Sequence, residues 1–417
     1  MQLLLRNARI LDNSALAAVW CDDGRIVGVS EDVAAVPDGP FEREIDLAGN
    51  MLVPGFVNPH LHPDKSLTGD LLDRSGTTLE DSLSFTWDLK SKRTVEQIAD
   101  QATEAIRECL IAGNTTVRAF CDVDKVGELN PLRALLEMRE RMRGLVDIQI
   151  VAFPQEGLLR PRGDVGLLRE ALEMGADVVG GLTNYERTPD KMRQHVDLVM
   201  DIAQEFDVDA HLLADMTDDP AARALEYLAE QTIERGWHDR VVASHCTALT
   251  SYDHIHAEVV IELVKEAGIS ICSNPHVTMM WGEHAHDRGN IRRGCTRIED
   301  LLEAGANVCS GQDDMDDPYY PLGRGDQLEV AWFFSHAARL NTLDGLRTAL
   351  DAVTVNGARA LRLESYGLEP GCRADLVALD GYTLKEAMRR QLPRPYVVKD
   401  GRVVVEHRLE RSVAAGS

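Results

Sequence analysis

The sequence predicts an α/β fold: a distorted (β/α)₈ TIM barrel with a small β-sandwich domain built from both termini. Three observations favour this class. Eight short strand-like runs alternate with amphipathic helical stretches between residues 55 and 366, both ends of the chain are rich in strand signals, and polar residues of catalytic type follow the predicted strands. A chain of 417 residues is long enough for such a barrel and a small second domain.

The two ends of the chain carry the same kind of pattern. Near the N-terminus, turn residues separate two predicted strands, LLLRNARIL and GRIVGVS. Near the C-terminus, ADLVALDG and YVVKDGRVVVE are also predicted to form strands. The second of these contains a Lys-Asp-Gly turn of hairpin type. Because the termini of a domain often meet, we predict one sandwich from residues 1–54 and 367–417. Residues 55–366 then form the barrel.

The middle of the chain repeats a β-branched run, a polar turn and an amphipathic helix, such as EQIADQATEAIRECLIAG or PLRALLEMRERMR. A parallel eight-stranded barrel requires this alternation. The eight predicted strands lie within MLVPGFVNPHLH, TTVRAFCDVD, VDIQIVAFPQEG, ADVVGGLTNYE, VDAHLLAD, RVVASHCTAL, GISICSNPHVT and GANVCSGQDD.

Charge and composition exclude several classes of partner. With 44 Lys and Arg against 69 Asp and Glu, the formal net charge is −25, which disfavours nucleic acid. No apolar run approaches the roughly 20 residues of a spanning helix, so we expect no membrane insertion. The N-terminus lacks a secretory pattern, and the eight cysteines are scattered without a CxxC pair. These features predict a cytoplasmic protein with reduced thiols.

Five residues at predicted strand ends suggest a metal site. His60 and His62 end the first strand, and residues two apart in an extended chain point to the same side. An HxH pair alone is explained equally well by two polar residues near a strand end. Here, however, His211, His245 and Asp313 end the fifth, sixth and eighth strands. His60, His62, His211 and Asp313 together suit Zn²⁺ or Fe²⁺, with Mn²⁺ also accepted.

These segments resemble the amidohydrolase superfamily, and within it the cytosine deaminase-like branch. The resemblance covers nearly the whole chain and is carried by PGFVNPHLHPDKS, DIQIVAFPQEG, ADVVGG, RVVASHCTAL, CSGQDDMDDPYYPLG and GCRADLVAL. It implies one divalent metal ion held by His60, His62, His211 and Asp313, since the predicted fourth strand has no lysine to bridge two ions. It also implies that His245 lies beside the metal-bound water, that Gln155 binds the amide edge of a heterocyclic substrate, and that Asp314 lies near its ring.

The chemistry of such a site requires a proton carrier. A divalent metal lowers the pKa of bound water toward roughly 7, and Asp313 can accept its proton. The leaving nitrogen must then be protonated. In the cytosine deaminases that this chain resembles, a glutamate three residues after the histidine of strand five carries this proton. In this chain the corresponding residue is Ala214 or, if two residues are inserted, Met216. Asp215 or His245 can replace it, and Asp215 is equally well explained as a plain loop carboxylate.

The sequence therefore predicts a hydrolase of C–N bonds other than peptide bonds. The leading hypothesis is deamination of a small nitrogen heterocycle of the cytosine, isocytosine or creatinine type by attack on a ring carbon. The chain also resembles the N-isopropylammelide amidohydrolases, which share the HxHxDK motif of residues 60–65. The alternative is thus hydrolysis of an N-substituted amino group or cyclic amide on a triazine- or pyrimidine-like ring, with Lys65 either contacting a ring oxygen or remaining a solvated loop lysine.

A non-catalytic binding protein is a third hypothesis, but a degenerate site is expected to lose metal ligands first, and all four are present. The partner is predicted to be a small heterocyclic molecule, and the resemblance implies a possible homo-oligomer.

Overall fold

A computed structural model of the chain describes residues 1–10, 15–72, 79–281 and 294–410, without the side chains of residues 33, 79, 80 and 281. The chain divides into two compact units. The first contains residues 1–56, 110–115 and 364–417, and the second contains residues 57–109 and 116–363. The fold class is the predicted one, while the domain boundaries predicted from the sequence stay predictions.

Within the described residues the strands fall into three groups. The first five are β1 (Leu3–Ile10), β2 (Ala17–Asp22), β3 (Arg25–Ser30), β4 (Arg43–Asp46) and β5 (Met51–Pro54). Eight parallel strands follow: β6 (Phe56–Leu61), β7 (Asn114–Asp122), β8 (Asp147–Phe153), β9 (Val178–Leu182), β10 (Asp209–Ala214), β11 (Val241–His245), β12 (Ser270–Cys272) and β13 (Val308–Cys309). The last three are β14 (Leu376–Leu379), β15 (Tyr396–Lys399) and β16 (Arg402–Glu406).

The α-helices of the described residues lie mostly between these strands. They are α1 (Leu79–Lys92), α2 (Val95–Ile111), α3 (Asn130–Arg141), α4 (Val165–Glu173), α5 (Pro189–Phe206), α6 (Ala224–Glu234), α7 (His254–Ala267), α8 (Pro275–Trp281), α9 (Ile298–Glu303), α10 (Gln327–Ala337), α11 (Leu343–Ala352), α12 (Val355–Ala360) and α13 (Leu384–Arg390). None of the described helices has the length and apolarity that a membrane span requires.

The terminal sheet joins both ends of the chain, as predicted. Its strand order is β16-β15-β14-β5-β1-β2-β3, with β4 paired to β1. The Lys-Asp-Gly segment is the turn of the antiparallel β15–β16 hairpin. Alternate residues of these strands bury one apolar face, which is why each strand packs on a common core. That core includes Leu3, Val19, Leu52 and Leu376.

The barrel strands follow the chain in order from β6 to β13, and all eight predicted strands are confirmed. The circle is completed just past β13, where Asp313 forms a parallel bridge to Leu61. Both strand faces are buried in such a barrel, so the strands read as mostly apolar runs. Phe120, Val151 and Phe153 form part of the apolar cluster in this unit.

Candidate metal centre and active site

His60 and His62 lie where β6 ends, and their side chains meet. The two-residue spacing of an extended chain puts both on one side, and His60 Nε2 is 3.2 Å from His62 Nε2. Both side chains are buried. Phe120 supports them from β7: its ring stacks on His60 with centroids 4.0 Å apart and also contacts His62. The paired imidazoles are therefore held by packing as well as by backbone geometry.

Asp313 reaches the same place from the other side of the barrel closure. Its backbone N–H donates to the carbonyl of His60 at 2.7 Å, and its own carbonyl accepts from the N–H of His62 at 3.0 Å. With φ at 64°, the backbone directs the carboxylate inward. Asp313 Oδ1 lies 3.2 Å from His60 Nε2 and 3.6 Å from His62 Nε2. The ligand atoms of these three buried residues all lie within 4.8 Å of one another, a spacing that one metal ion can bridge.

His211 and His245 border this three-residue group. His211 is buried at β10, and its Nε2 is 2.7 Å from the hydroxyl oxygen of Ser244, which is also 2.7 Å from His60 Nδ1. The His211 ring lies 5.4 Å from that of His60, outside the tight group. His245 Nε2 is 3.7 Å from Asp313 Oδ2. The structure thus brings together the five histidine and aspartate residues predicted from strand ends, with His60, His62 and Asp313 closest to one another.

Burial and local charge set the protonation of this centre. Burial lowers the pKa of His62 and His211 well below the usual range, and the neighbouring Lys65 and Arg118 charges lower them further. Burial would also lower the pKa of His60, but the Asp313 carboxylate raises it to about 9. Burial alone would raise the pKa of Asp313, yet the charges of His60 and His245 hold it below its usual range. His62 and His211 are therefore neutral beside the ionised Asp313, and a divalent cation would displace the proton that Asp313 holds on His60; together these residues form a donor set for such an ion.

Buried polar atoms without hydrogen-bond partners also indicate that this centre binds a ligand. Among the described residues, both ring nitrogens of His245 and Oδ2 of Asp313 are buried without a hydrogen-bond partner. Buried polar groups are normally paired, so such atoms indicate a site that takes a ligand, an ion or water. The residues present therefore fit a divalent metal ion with a coordinated water near His245.

Two predicted substrate-binding residues lie beside the centre. The Lys65 ammonium is buried, 3.2 Å from His62 Nδ1 and 3.4 Å from Gln155 Oε1. Its strongest contact is with Asp122 Oδ1 at 2.8 Å. Lys65 is therefore not the solvated loop lysine that the sequence left as an alternative. The lysine and the Gln155 amide stand together at the edge of the histidine cluster.

Asp314 follows Asp313 in the chain, but its carboxyl group contacts a different residue. Its buried carboxyl hydrogen-bonds to Asp317, and burial, followed by the charges of Asp317 and Asp313, raises its pKa well above the usual value. Asp317 Oδ1 in turn accepts the backbone N–H of Tyr319 and Tyr320, each at 2.8 Å. Asp314 thus shares a proton with Asp317 at the side of the centre.

Asp215 forms hydrogen bonds that were not predicted from the sequence. Its two carboxylate oxygens accept the backbone N–H groups of Ala224 and Leu225, at 3.0 and 2.8 Å, at the start of α6. The side chain therefore satisfies orphan donors of a helix N-terminus. This geometry favours the structural alternative for Asp215 over the acid, because both oxygens face α6.

Several residues of the centre were not identified from the sequence. Asp122 ends β7, so the strand-end rule that selected the histidines also applied to it. Ser244, which links His60 and His211, carried no such signal, because a serine inside a buried run reads as a small core residue. Lys90 of α1 was also missed; its ammonium lies 3.1 Å from Asp122 Oδ2 and 3.2 Å from Glu156 Oε1, and it also contacts Asp124.

Comparison with known proteins identifies the class. Residues 63–405 match the Amidohydrolase family, so this chain belongs to that family and is a hydrolase of C–N bonds other than peptide bonds. Its fold is similar to the structure of 5-methylcytosine deaminase from Klebsiella pneumoniae liganded with 5-fluorocytosine, with a TM-score of 0.92 and 36% identity over 99% of each chain.

Two curated relatives cover most of the sequence. N-isopropylammelide isopropyl amidohydrolase of Pseudomonas sp. (strain ADP) is 30% identical over 97% of this chain and 97% of its own. Pterin deaminase of Rhizobium rhizogenes is 27% identical over 90% of this chain and 86% of its own. One of these relatives is thus named as an amidohydrolase and the other as a deaminase.

Proposed function

We propose that this protein is a metal-dependent deaminase of a small nitrogen heterocycle of the aminopyrimidine type. The observation that carries the proposal is the juxtaposition of the Gln155 amide and the Lys65 ammonium with the His60, His62 and Asp313 cluster. An amide and a cation beside a metal centre can bind the amide edge of a planar ring. The likeness to a 5-methylcytosine deaminase over 99% of the chain supports the same substrate class.

We propose His60, His62, His211 and Asp313 as ligands of one divalent ion, Zn²⁺, Fe²⁺ or Mn²⁺. When bound, the ion supplies Lewis acidity and lowers the pKa of coordinated water toward neutrality. His211 would hold the ion through Nε2, the nitrogen that lies 2.7 Å from the Ser244 hydroxyl oxygen. The second oxygen of Asp313, free of hydrogen bonds among the described residues, is available to accept a proton.

The proton path runs through His245 in this proposal. Burial lowers the pKa of His245 to about 4, so the imidazole is neutral at pH 7 and can accept a proton. Its Nε2 is 3.7 Å from Asp313 Oδ2, a gap that closes with a small side-chain movement. His245 then delivers the proton to the leaving nitrogen, the step that C–N cleavage needs. Asp215 keeps its contacts with α6, and Asp314, whose pKa is raised by burial and by Asp317, is proposed to lie near the substrate ring.

The test is identification of products by mass spectrometry. Enzyme reconstituted with Zn²⁺, Fe²⁺ or Mn²⁺ is incubated with aminopyrimidines, aminopurines, creatinine-like lactams and N-alkylaminotriazines. Deamination replaces NH by O, so the product mass rises by about one unit and ammonia appears. Enzyme treated with a chelator is the control. Failure of every ring to lose ammonia contradicts the proposal.

A second candidate is hydrolysis of an N-substituted amino group or cyclic amide. It is favoured by Ala214 at the end of β10, where the deaminase pattern has an acid, and by the 30% identity to an amidohydrolase named for N-isopropylammelide. Release of an alkylamine, or addition of water without loss, supports this candidate over the first.

We also propose that the enzyme acts in the cytoplasm, as a homo-oligomer, without nucleic-acid or membrane partners. All eight cysteines are free thiols and seven are buried, which suits a reducing compartment. Gel filtration with light scattering tests the oligomeric state.

A further inference from the structure

A second cluster of ligand-type residues adjoins the centre. His62, Asp64 and Asp122 are all buried, and each offers a ligand atom within 4.8 Å of the others. His62 belongs to both clusters because its ring has two nitrogens: Nε2 faces His60 and Asp313, and Nδ1 faces away from them toward Lys65. The imidazole therefore lies between two possible cation positions.

The ammonium of Lys65 stands within this second cluster. Its Nζ is 2.8 Å from Asp122 Oδ1, 3.2 Å from His62 Nδ1 and 3.9 Å from Asp64 Oδ1. These are the three residues that a divalent cation would bind. A lysine ammonium is a compact positive charge, so it can substitute for an ion among such donors.

One carboxylate oxygen of this cluster accepts no hydrogen bond from the described residues. Asp64 Oδ2 accepts the backbone N–H of Asp122 at 2.8 Å, which fixes the carboxylate. Asp64 Oδ1 is buried and accepts no hydrogen bond among the described residues. A fixed, buried and unpaired carboxylate oxygen is costly unless a cation faces it. Lys65 meets that need only at 3.9 Å, which leaves the oxygen better suited to an ion than to the ammonium.

The surrounding charge favours a cation at this place. Four buried carboxylates, Asp64, Asp122, Asp124 and Glu156, surround the ammonium groups of Lys65 and Lys90. Lys90 lies on the opposite oxygen of Asp122, Oδ2, at 3.1 Å. Without Lys65, four carboxylates would face one ammonium, and the electrostatic attraction for a divalent ion would be strong.

We propose that Lys65 occupies a second divalent-cation site formed by His62 Nδ1, Asp64 and Asp122. In the native enzyme the tethered ammonium supplies the second positive charge, and the centre works with one exchangeable ion. The inference rests on the proposed function only in taking the first ion to lie on the other nitrogen of His62. Its ligands, one imidazole and two carboxylates, suit Mn²⁺ or Zn²⁺.

The experiment counts metal ions in Lys65→Ala, which vacates the site. Chelated protein is dialysed against Mn²⁺, and bound metal per chain is measured by plasma mass spectrometry. We expect about one ion in the wild type and about two in Lys65→Ala, by the ligand count of each cluster. To bind an ion on each nitrogen, the His62 ring would release its N–H proton to solvent and act as an imidazolate; the two ions would lie roughly 6 Å apart, so Mn²⁺ electron paramagnetic resonance should show dipolar broadening in the variant alone. Lys65→Ser serves if Lys65→Ala folds poorly by circular dichroism.

Two control variants distinguish the opening of the second metal site from the simple loss of a positive charge. Lys90→Ala removes a neighbouring ammonium without vacating the three-ligand site, so we expect no second coupled ion. Lys65→Ala combined with Asp122→Ala removes a ligand and should return the count to about one. A second coupled ion in the wild type or in Lys90→Ala, a single ion in the folded Lys65 variant, or a second ion that survives Asp122→Ala each overturns the proposal. The metal count needs no substrate, so a failure of the deaminase proposal is recognised separately by the product assay.

Discussion

Asp313 and Asp215 are similar in position and opposite in surroundings. Both lie just past a barrel strand, both have positive φ (64° and 52°), and both are buried. Asp313 faces three histidines and keeps one oxygen unpaired, whereas both oxygens of Asp215 accept backbone N–H groups of α6. A carboxylate at a strand end can bind a metal or a proton only where one of its oxygens has no hydrogen bond, since saturated oxygens have no capacity left.

The largest expected effect is that of Asp313→Ala. Loss of the carboxylate removes a proposed metal ligand and proton acceptor, so we expect kcat to fall at least roughly 10³-fold and metal content to drop. The free energy of unfolding should also fall, because Asp313 Oδ1 lies 3.2 Å from His60 Nε2 and its loss leaves that buried imidazole without its carboxylate partner. Turnover and metal analysis on the same preparation check this. Retained metal with full activity would remove Asp313 from the centre.

His245→Gln should reduce turnover while leaving the metal in place. The side chain has no hydrogen-bond partner among the described residues, so its removal costs the fold little, while the proton path is broken. We expect kcat to fall by roughly 10²–10⁴. Metal content is the control, and unchanged kcat would exclude His245 as the proton carrier.

Asp215→Ala should show the reverse pattern. Two buried N–H groups of α6 lose their acceptor, so we expect the free energy of unfolding to fall by about 1–2 kcal/mol. Turnover per folded, metal-loaded molecule should stay near the wild-type value. Urea unfolding and kcat are the two measurements. A kcat loss of roughly 10²–10⁴ with unchanged stability would instead make Asp215 the acid.

Metal removal tests the same contrast between Asp313 and Asp215 through thermal stability. A ligand that binds only the folded state stabilises it, by about 2.7 kcal/mol at a concentration 100 times its Kd. Chelation should therefore lower the Tm of the wild type and of Asp215→Ala by a similar amount, but not that of Asp313→Ala. Equal Tm shifts in all three proteins would mean that the ion binds elsewhere.

The strands and the strand-end residues could be predicted because both depend on local pattern. His60 and His62 share a side through the period of two, and apolar runs bounded by turns marked all eight barrel strands. The partners of Asp215 could not be predicted, because Ala224 and Leu225 return to it through a loop. The same holds for Lys90, whose ammonium reaches Asp122 from a helix that precedes β7. Contacts that depend on how loops and helices fold back leave no periodic signal in the sequence.

The pairing of β5 with β14 has a consequence for biosynthesis. Met51 pairs with Leu379, so one neighbour of β5 leaves the ribosome only after the whole barrel sequence has been made. Contacts so distant along the chain carry a high loop-closure entropy and form slowly. The terminal sheet is therefore expected to be completed last. Until β14 has been translated, the edge of β5 that pairs with it stays without a partner strand.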